Sequence, residues 1–366
     1  MKLIKPLIAP LLAALLVFFA ATAGAADIAD PAPSLVICAD GDGGDCRELC
    51  ERAVKAGADM LRLTLSVKDG GLRAADGAPA ADILGAFSQK IKLLIDFAPA
   101  DGEAVADAVK SAGAAERCAF IVRGSAKAID AFRALFPAAP ECIAVTGSNF
   151  WPYAVLRINS FVSAGAAGVL HEIANPYSIL WRKSVTARSS GNMRACADLT
   201  DPSRCGKRED TRDYWDELVK DGFSLLITSY PELAVQYRED SEAAFERLKE
   251  KKAQTDADFV LPEYSASGYI PYRRNFKTAV KTAETVLAKR AVGASEANEA
   301  YYLLDNSVRE IERNREAFET DSAGKTVTVP RVVICVVTVA AFVLVELFFR
   351  RRARDYGGEA KPAKKK

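Results

Sequence analysis

The chain has 366 residues, with 49 Lys and Arg against 48 Asp and Glu, a net charge of +1 and a single histidine. That length accommodates more than one domain. The balanced charge argues against a nucleic-acid partner, and one histidine without any CxxC pair argues against a zinc site.

Residues 1–25 carry Lys2 and Lys5 ahead of an apolar stretch from Leu7 to Ala20, and Ala23-Gly24-Ala25 fits a small-residue cleavage site. The segment reads as a secretory signal peptide, with a retained anchor helix as the alternative. Residues 36–63 then give an apolar run, a Gly/Asp-rich turn from Asp40 to Asp45, a stretch of helical period and a second apolar run from Met60 to Leu65. Strand, loop, helix, strand is the grammar of a barrel, whose loops carry reactive groups.

The pattern repeats. Strands are predicted at 34–38, 60–65, 92–97, 118–123, 142–146, 167–170, about 183–187 and 223–228, the seventh being the weakest. Amphipathic stretches such as Glu103 to Ser111 and Ala126 to Phe136 lie between them, the latter presenting Ile129, Phe132, Ala134 and Leu135 on one face. Strands apolar on both faces that alternate with helices argue for a parallel sheet. Eight such units in roughly 210 residues argue for a (β/α)8 TIM barrel, placed at residues 30–238.

Composition changes after Pro231. Residues 231–255 read as one charged helix, and Tyr272 to Lys289 repeats Phe276, Ala279, Val280, Ala283, Val286 and Leu287 as a helical stripe. Gly293 breaks it, and Ser295 can cap a third helix that turns Ala297, Ala300, Leu304, Val308 and Ile311 inward. The expectation is a small three-helix bundle over 239–320. Its tyrosines (Tyr264, Tyr269, Tyr272, Tyr301 and Tyr302) either pack between helix and loop or bind sugar rings.

Residues 332–349, VVICVVTVAAFVLVELFF, would span about 27 Å as a helix, close to the thickness of a bilayer core. Arg350, Arg351, Arg352 and Arg354 follow at once, and Lys361 and Lys364 to Lys366 complete a basic tail over 350–366. By the positive-inside rule the tail is cytoplasmic and the body of the protein extracellular, a single-pass protein of the cell membrane. Without its two ends and Glu346 the body keeps 39 basic and 45 acidic residues, a net charge of −6, so the partner expected is the membrane and not a nucleic acid.

Of eight cysteines, Cys335 lies in the apolar span and seven lie in the body. An oxidising compartment makes disulfides plausible there. Cys196 and Cys205 flank the polar, turn-forming ADLTDPSR and make the best pair; Cys118 and Cys142 both open predicted strands and could bridge neighbours.

The order of features resembles the glycerophosphodiester phosphodiesterase family. The stretches that carry the resemblance are AVKAGADMLRLTLSVKDGGL (53–72), KLLIDF (92–97) and DYWDELVKDGFSLLITSYPEL (213–233), and the resemblance as a whole covers about residues 34–238. The resemblance implies two histidines as general acid and base and a Ca²⁺ or Mg²⁺ ion held by carboxylates. In this chain the family's first His-Arg-Gly falls on Ala39-Asp40-Gly41 and its Pro-Glu-Asn near Gly43-Gly44-Asp45. The strand-two ligands fall on Arg62 and Thr64, the second histidine near Ala75, just before Asp76, and only Asp96 keeps a carboxylate at a metal position. A cation at position 62 repels the metal that a carboxylate there would hold, so no metal is expected.

Three functions remain open. One is a degenerate barrel that binds an anionic phosphodiester or envelope ligand through Asp40, Arg62, Asp96, Arg123, Arg188 and Tyr230, guanidinium groups being suited to phosphate. The same arginines could instead salt-bridge to Asp40 and Asp96. The second is a working phosphoric diester hydrolase with a rearranged site, with His171 as general base and Arg62 supplying the metal's charge; against it, His171 at a strand end could simply bond local backbone. The third is a structural surface protein. The segment YIPYRRNFKTAVKTAETVLAKRAVGASEANEAYYLLDNSVREIE (269–312) resembles the FIVAR module of Gram-positive surface proteins, which implies a Gram-positive host and a spacer or contact with cell-wall glycan.

Overall fold

The computed structural model describes residues 35–136, 141–145, 151–171, 193–201, 209–264 and 266–323. Eight strands form a closed parallel barrel: β1 (Val36–Asp40), β2 (Met60–Lys68), β4 (Lys92–Phe97), β5 (Cys118–Val122), β6 (Glu141–Val145), β7 (Gly168–His171), β8 (Arg194–Asp198) and β9 (Leu225–Thr228). β1 closes the ring because it pairs on one side with β2, Asp40 opposite Arg62, and on the other with β9, Val36 opposite Leu225. A further strand, β3 (Gly71–Arg73), folds back antiparallel on the end of β2 through a turn at Asp69 and Gly70, both at positive φ.

Among the described residues the helices between strands are α1 (Cys46–Ala56), α2 (Ala80–Phe87), α3 (Gly102–Ser111), α4 (Ala126–Leu135), α5 (Trp151–Ser163) and α6 (Arg212–Lys220). Local chemistry sets the ends of α1. The Asp45 carboxylate accepts the Glu48 N–H at 3.0 Å, and Gly57, at φ 76°, takes the left-handed cap position that glycine adopts without steric cost.

Alternation along each strand builds two cores. Cys38, Met60, Leu94, Ala119, Ile121, Ile143, Leu170 and Cys196 are among the residues that fill the barrel interior. Their neighbours in sequence, such as Ile37, Leu61, Leu93, Phe120 and Val169, pack outward against the helices. Burial on both faces is why these strands read as continuous apolar runs.

The seventh parallel strand is where sequence and structure differ. The barrel uses Arg194–Asp198 as β8, between β7 and β9, and not 183–187, which lies outside the described residues. RACAD has two alanines and two charged ends, so its hydropathy does not mark a strand; its place comes from the pairing on both sides.

Neither expected disulfide is formed. Cys196 is a buried thiol inside the barrel, its S–H directed at the Arg194 carbonyl at 3.5 Å, and Cys205 lies outside the described residues. Cys118 and Cys142 are thiols on adjacent strands, but the register sets Cys142 opposite Phe120, two residues from Cys118. That diagonal separation of roughly 7–8 Å is beyond the reach of an S–S bond.

The helices that follow are α7 (Pro231–Asp258), α8 (Ile270–Leu287), α9 (Ala294–Arg313) and α10 (Arg315–Ala323). The chain divides into two compact units, one of residues 1–257 with 280–304 and one of 258–279 with 305–366. In the first, the Asp216 carboxylate accepts the Tyr237 hydroxyl at 3.0 Å and the Ser295 hydroxyl and N–H, so an acid on α6 caps the start of α9. In the second, Tyr264, Tyr269 and Tyr272 all lie against the Phe318 ring, with centroids 5.8, 5.2 and 5.1 Å away. Packing is therefore the role these three rings have.

Among the described residues no helix is long and apolar enough to cross a membrane. The signal segment 1–25, the apolar span 332–349 and the basic tail 350–366 all lie outside the described residues.

Candidate functional site

Barrel enzymes place their reactive groups at the C-terminal ends of the strands. Here that end is dominated by one cation. Arg62 on β2 points inward between Met60 and Thr64 and is 7% exposed. Its guanidinium donates to Asp198 at the end of β8 (2.7 Å), to Asp40 at the end of β1 (2.8 Å) and to the Thr200 hydroxyl (3.0 Å). Its Nε lies 3.5 Å from the Asp42 carboxylate.

The acids are themselves held. Asp42 accepts both the Thr64 N–H (2.8 Å) and its hydroxyl (2.6 Å), and Asp198 accepts the Thr200 N–H (3.2 Å) and hydroxyl (2.7 Å). Burial lowers the affinity of Arg62 for its proton, but the charges of Asp198, Asp40 and Asp42 outweigh it and raise the pKa above the ordinary value. Burial, joined by the charge of Asp42, raises the Asp40 pKa against the pull of Arg62.

A second pair lies beside this cluster. Arg123, just beyond β5, donates through Nε (3.2 Å) and a terminal nitrogen (2.6 Å) to the two oxygens of Asp96 on β4. This is the bidentate geometry in which a guanidinium matches a carboxylate best. Both described arginines of the expected anion site are thus bound to carboxylates of the same site. Arg188 lies outside the described residues.

The metal implied by the family resemblance does not fit these residues. The carboxylates that would have to coordinate it, Asp40, Asp42 and Asp198, surround a guanidinium that stands in the middle of the group. Among the described residues no set of three or more acids, cysteines or histidines is arranged to hold a metal.

His171 ends β7 but faces the other way. Leu170 is the inward residue, whereas His171 is opposite Ala197 in register and packs edge-on against Phe223 of the outer core, centroids 5.4 Å apart. It is 1% exposed and does not look into the barrel mouth, so the rearranged site built on it as a general base is not assembled.

Burial lowers the His171 pKa from 6.5 to about 3. Because the folded value lies below the unfolded one, the unfolded chain binds the proton first. The stability is fully present above pH 6.5 and is lost as pH falls toward 3. Between pH 7 and 5 this side chain is expected to remove about 2 kcal/mol. Asp40 acts with the opposite sign, its raised pKa favouring the folded state as pH falls, so the comparison that isolates the histidine is wild type against His171→Leu. Urea midpoints at the two pH values check it; parallel losses in both proteins would show that His171 does not titrate on unfolding.

Tyr230 opens α7 beside the mouth, its N–H on the Thr228 hydroxyl at 3.0 Å and its ring half exposed. Nearby, Asp210 accepts the Trp215 indole N–H (2.6 Å), the Thr228 hydroxyl (2.7 Å) and the Ser229 N–H (2.9 Å). Asp42, Asp198, Thr200 and Asp210 were not among the residues expected from sequence. An acid at the end of an inward-facing strand is the signal that marks Asp198, and it became usable only with β8 in place.

The chain is thus a (β/α)8-barrel protein whose C-terminal mouth is filled by an arginine–carboxylate cluster. Neither a protein-family model nor a curated protein matches it. Solved structures similar to it include a glycerophosphodiester phosphodiesterase from Agrobacterium tumefaciens str. C58, at 11% identity and a TM-score of 0.41 over 55% of this chain and 99% of that one. A second from Thermotoga maritima is 12% identical, with a TM-score of 0.43 over 56% of this chain and 98% of that one. A putative fructose-1,6-biphosphate aldolase from Coccidioides immitis is also similar, at 11% identity and a TM-score of 0.37 over 77% of this chain and 94% of that one. Likenesses at this level carry no argument about chemistry, and the barrel itself rests on the strand pairing above.

Proposed function

We propose that the chain is a phosphodiesterase-like barrel that does not hydrolyse phosphodiesters and serves as a binding or scaffolding protein of the cell envelope. In this reading residues 1–25 direct export, 332–349 hold the protein in the membrane as a single span, and the basic tail 350–366 stays inside. The observation that carries it is the Arg62 guanidinium bound within Asp40, Asp42 and Asp198. A phosphodiesterase needs a group to deprotonate the nucleophile, a group to protonate the leaving oxygen and a cation free to meet the phosphate. Arg62 and Arg123 are both bound to carboxylates, and the sole histidine faces the outer core. A working hydrolase built on His171 is disfavoured for the same reason.

The test is a turnover assay on the full-length chain with glycerophosphocholine and bis-p-nitrophenyl phosphate, in Ca²⁺, Mg²⁺ or EDTA. The expected rate is that of buffer in every condition. Metal-dependent release of product that tracks the protein through purification would overturn the proposal.

A further inference from the structure

Beside the filled mouth, at the C-terminal ends of β8 and β9, lies a groove of about 720 Å³. Its floor and walls mix apolar and hydroxylic groups. Leu233 is 58% exposed and Tyr230 49% exposed, so an aromatic and an aliphatic side chain of the lining are open to solvent. A concave surface lined by apolar and aromatic side chains with a few polar groups among them has the composition of a small-molecule site.

Several of the uncharged polar groups around this pair are uncommitted. Ser229, Thr211 and Gln236 line the groove, and no hydrogen bond from their side chains to another described residue holds them. The Tyr230 hydroxyl is in the same position. Cations are different. Arg212, the arginine on this lining, donates to Asp240 at 2.7 Å and lies over the Tyr237 ring at 5.6 Å. Glu209 and Asp210 add negative charge to the wall. A phosphate would meet repulsion here and no uncommitted guanidinium.

From this geometry we propose that the groove is a carbohydrate site that takes an uncharged sugar chain, with Tyr230 as the stacking platform. A sugar ring has an apolar face for the tyrosine ring and equatorial hydroxyls for Ser229, Thr211 and Gln236. An amphipathic aromatic side chain supplies that combination at low entropic cost. The site deepens the envelope-binding reading of the preceding section and rests on it for its biological setting.

The experiment is calorimetric titration of the full-length chain, in a detergent without sugar, with maltotetraose, cellotetraose and chitotetraose. Saturable binding of at least one tetrasaccharide is expected, weakened about tenfold or more by Tyr230→Ala and little changed by Tyr230→Phe, which keeps the ring. Tyr230 is exposed, so neither variant should disturb folding. No saturation with any of the three up to about 10 mM, which is weaker than ordinary specific recognition, would overturn the site. So would binding that Tyr230→Ala leaves unchanged, or displacement of the sugar by glycerophosphocholine at equal concentration. The turnover assay above reports separately on the non-hydrolytic reading, so either can fail without the other.

Discussion

Arg62→Ala is expected to be among the most destabilising single substitutions in this protein, costing about 3–5 kcal/mol at neutral pH. The wild-type guanidinium neutralises part of the charge of Asp40, Asp42 and Asp198 and fills the space between them. Its removal leaves the buried Asp198 and the half-buried Asp40 and Asp42 facing one another with no counter-charge, and the cost is that of uncompensated charge more than of lost contacts.

Two further readings distinguish this from a simple cavity. Carboxylates forced together bind protons more readily when folded, so as pH falls from 7 to 5 the variant should lose less stability than the wild type, both proteins carrying the same loss through His171. Millimolar Mg²⁺ or Ca²⁺ should raise the urea midpoint of Arg62→Ala and leave that of the wild type in place, because a divalent ion can take the position the guanidinium vacates. A loss below about 1 kcal/mol, the range of an exposed ion pair, would show that the cluster does not organise the mouth.

Gly41→Ala is the second large effect expected. A Cβ at position 41 would lie 2.5 Å from the Arg62 carbonyl oxygen and 2.8 Å from a Leu63 methyl. That carbonyl already accepts the Gly41 N–H at 2.9 Å, and it belongs to β2, whose pairing with β1 closes the barrel. The neighbour cannot retreat without opening the closure, so the strain should cost about 3 kcal/mol or more. Gly43→Ala two residues along meets nothing within 4 Å and should be nearly neutral. Thermal midpoints of the pair measure the difference; equal midpoints would mean that the β1–β2 seam yields easily.

Much of the barrel is legible in one dimension because parallel strands are apolar on both faces. KLLIDF, CAFIV and LLIT each announce a strand without help from their partners. RACAD does not, since its small and charged residues become a strand only between β7 and β9. The helices after Pro231 are legible for a different reason, a sustained 3.6-residue stripe ended by Gly293.

The site was half legible. Asp96 and Arg123 are both expected at the mouth, as ligand-binding groups or, in the alternative reading, as a salt bridge, and the structure joins them bidentately. The face of His171 could not be read from a four-residue strand, where a shift of one position exchanges inside for outside.

The sequence by itself determined the class of fold, the run of helices beyond it and the placing of a cation, Arg62, on an early strand. Only the tertiary structure decided what that cation meets. Ring closure brings β8 to within one strand of β1, so Asp198 reaches Arg62 across 136 residues of chain. It also buries Cys196 inside the barrel and turns His171 away from the mouth. Charge and hydropathy are properties of residues and survive in a string; the commitment of a charge to a partner is a property of positions in space, and closure of the sheet sets those positions.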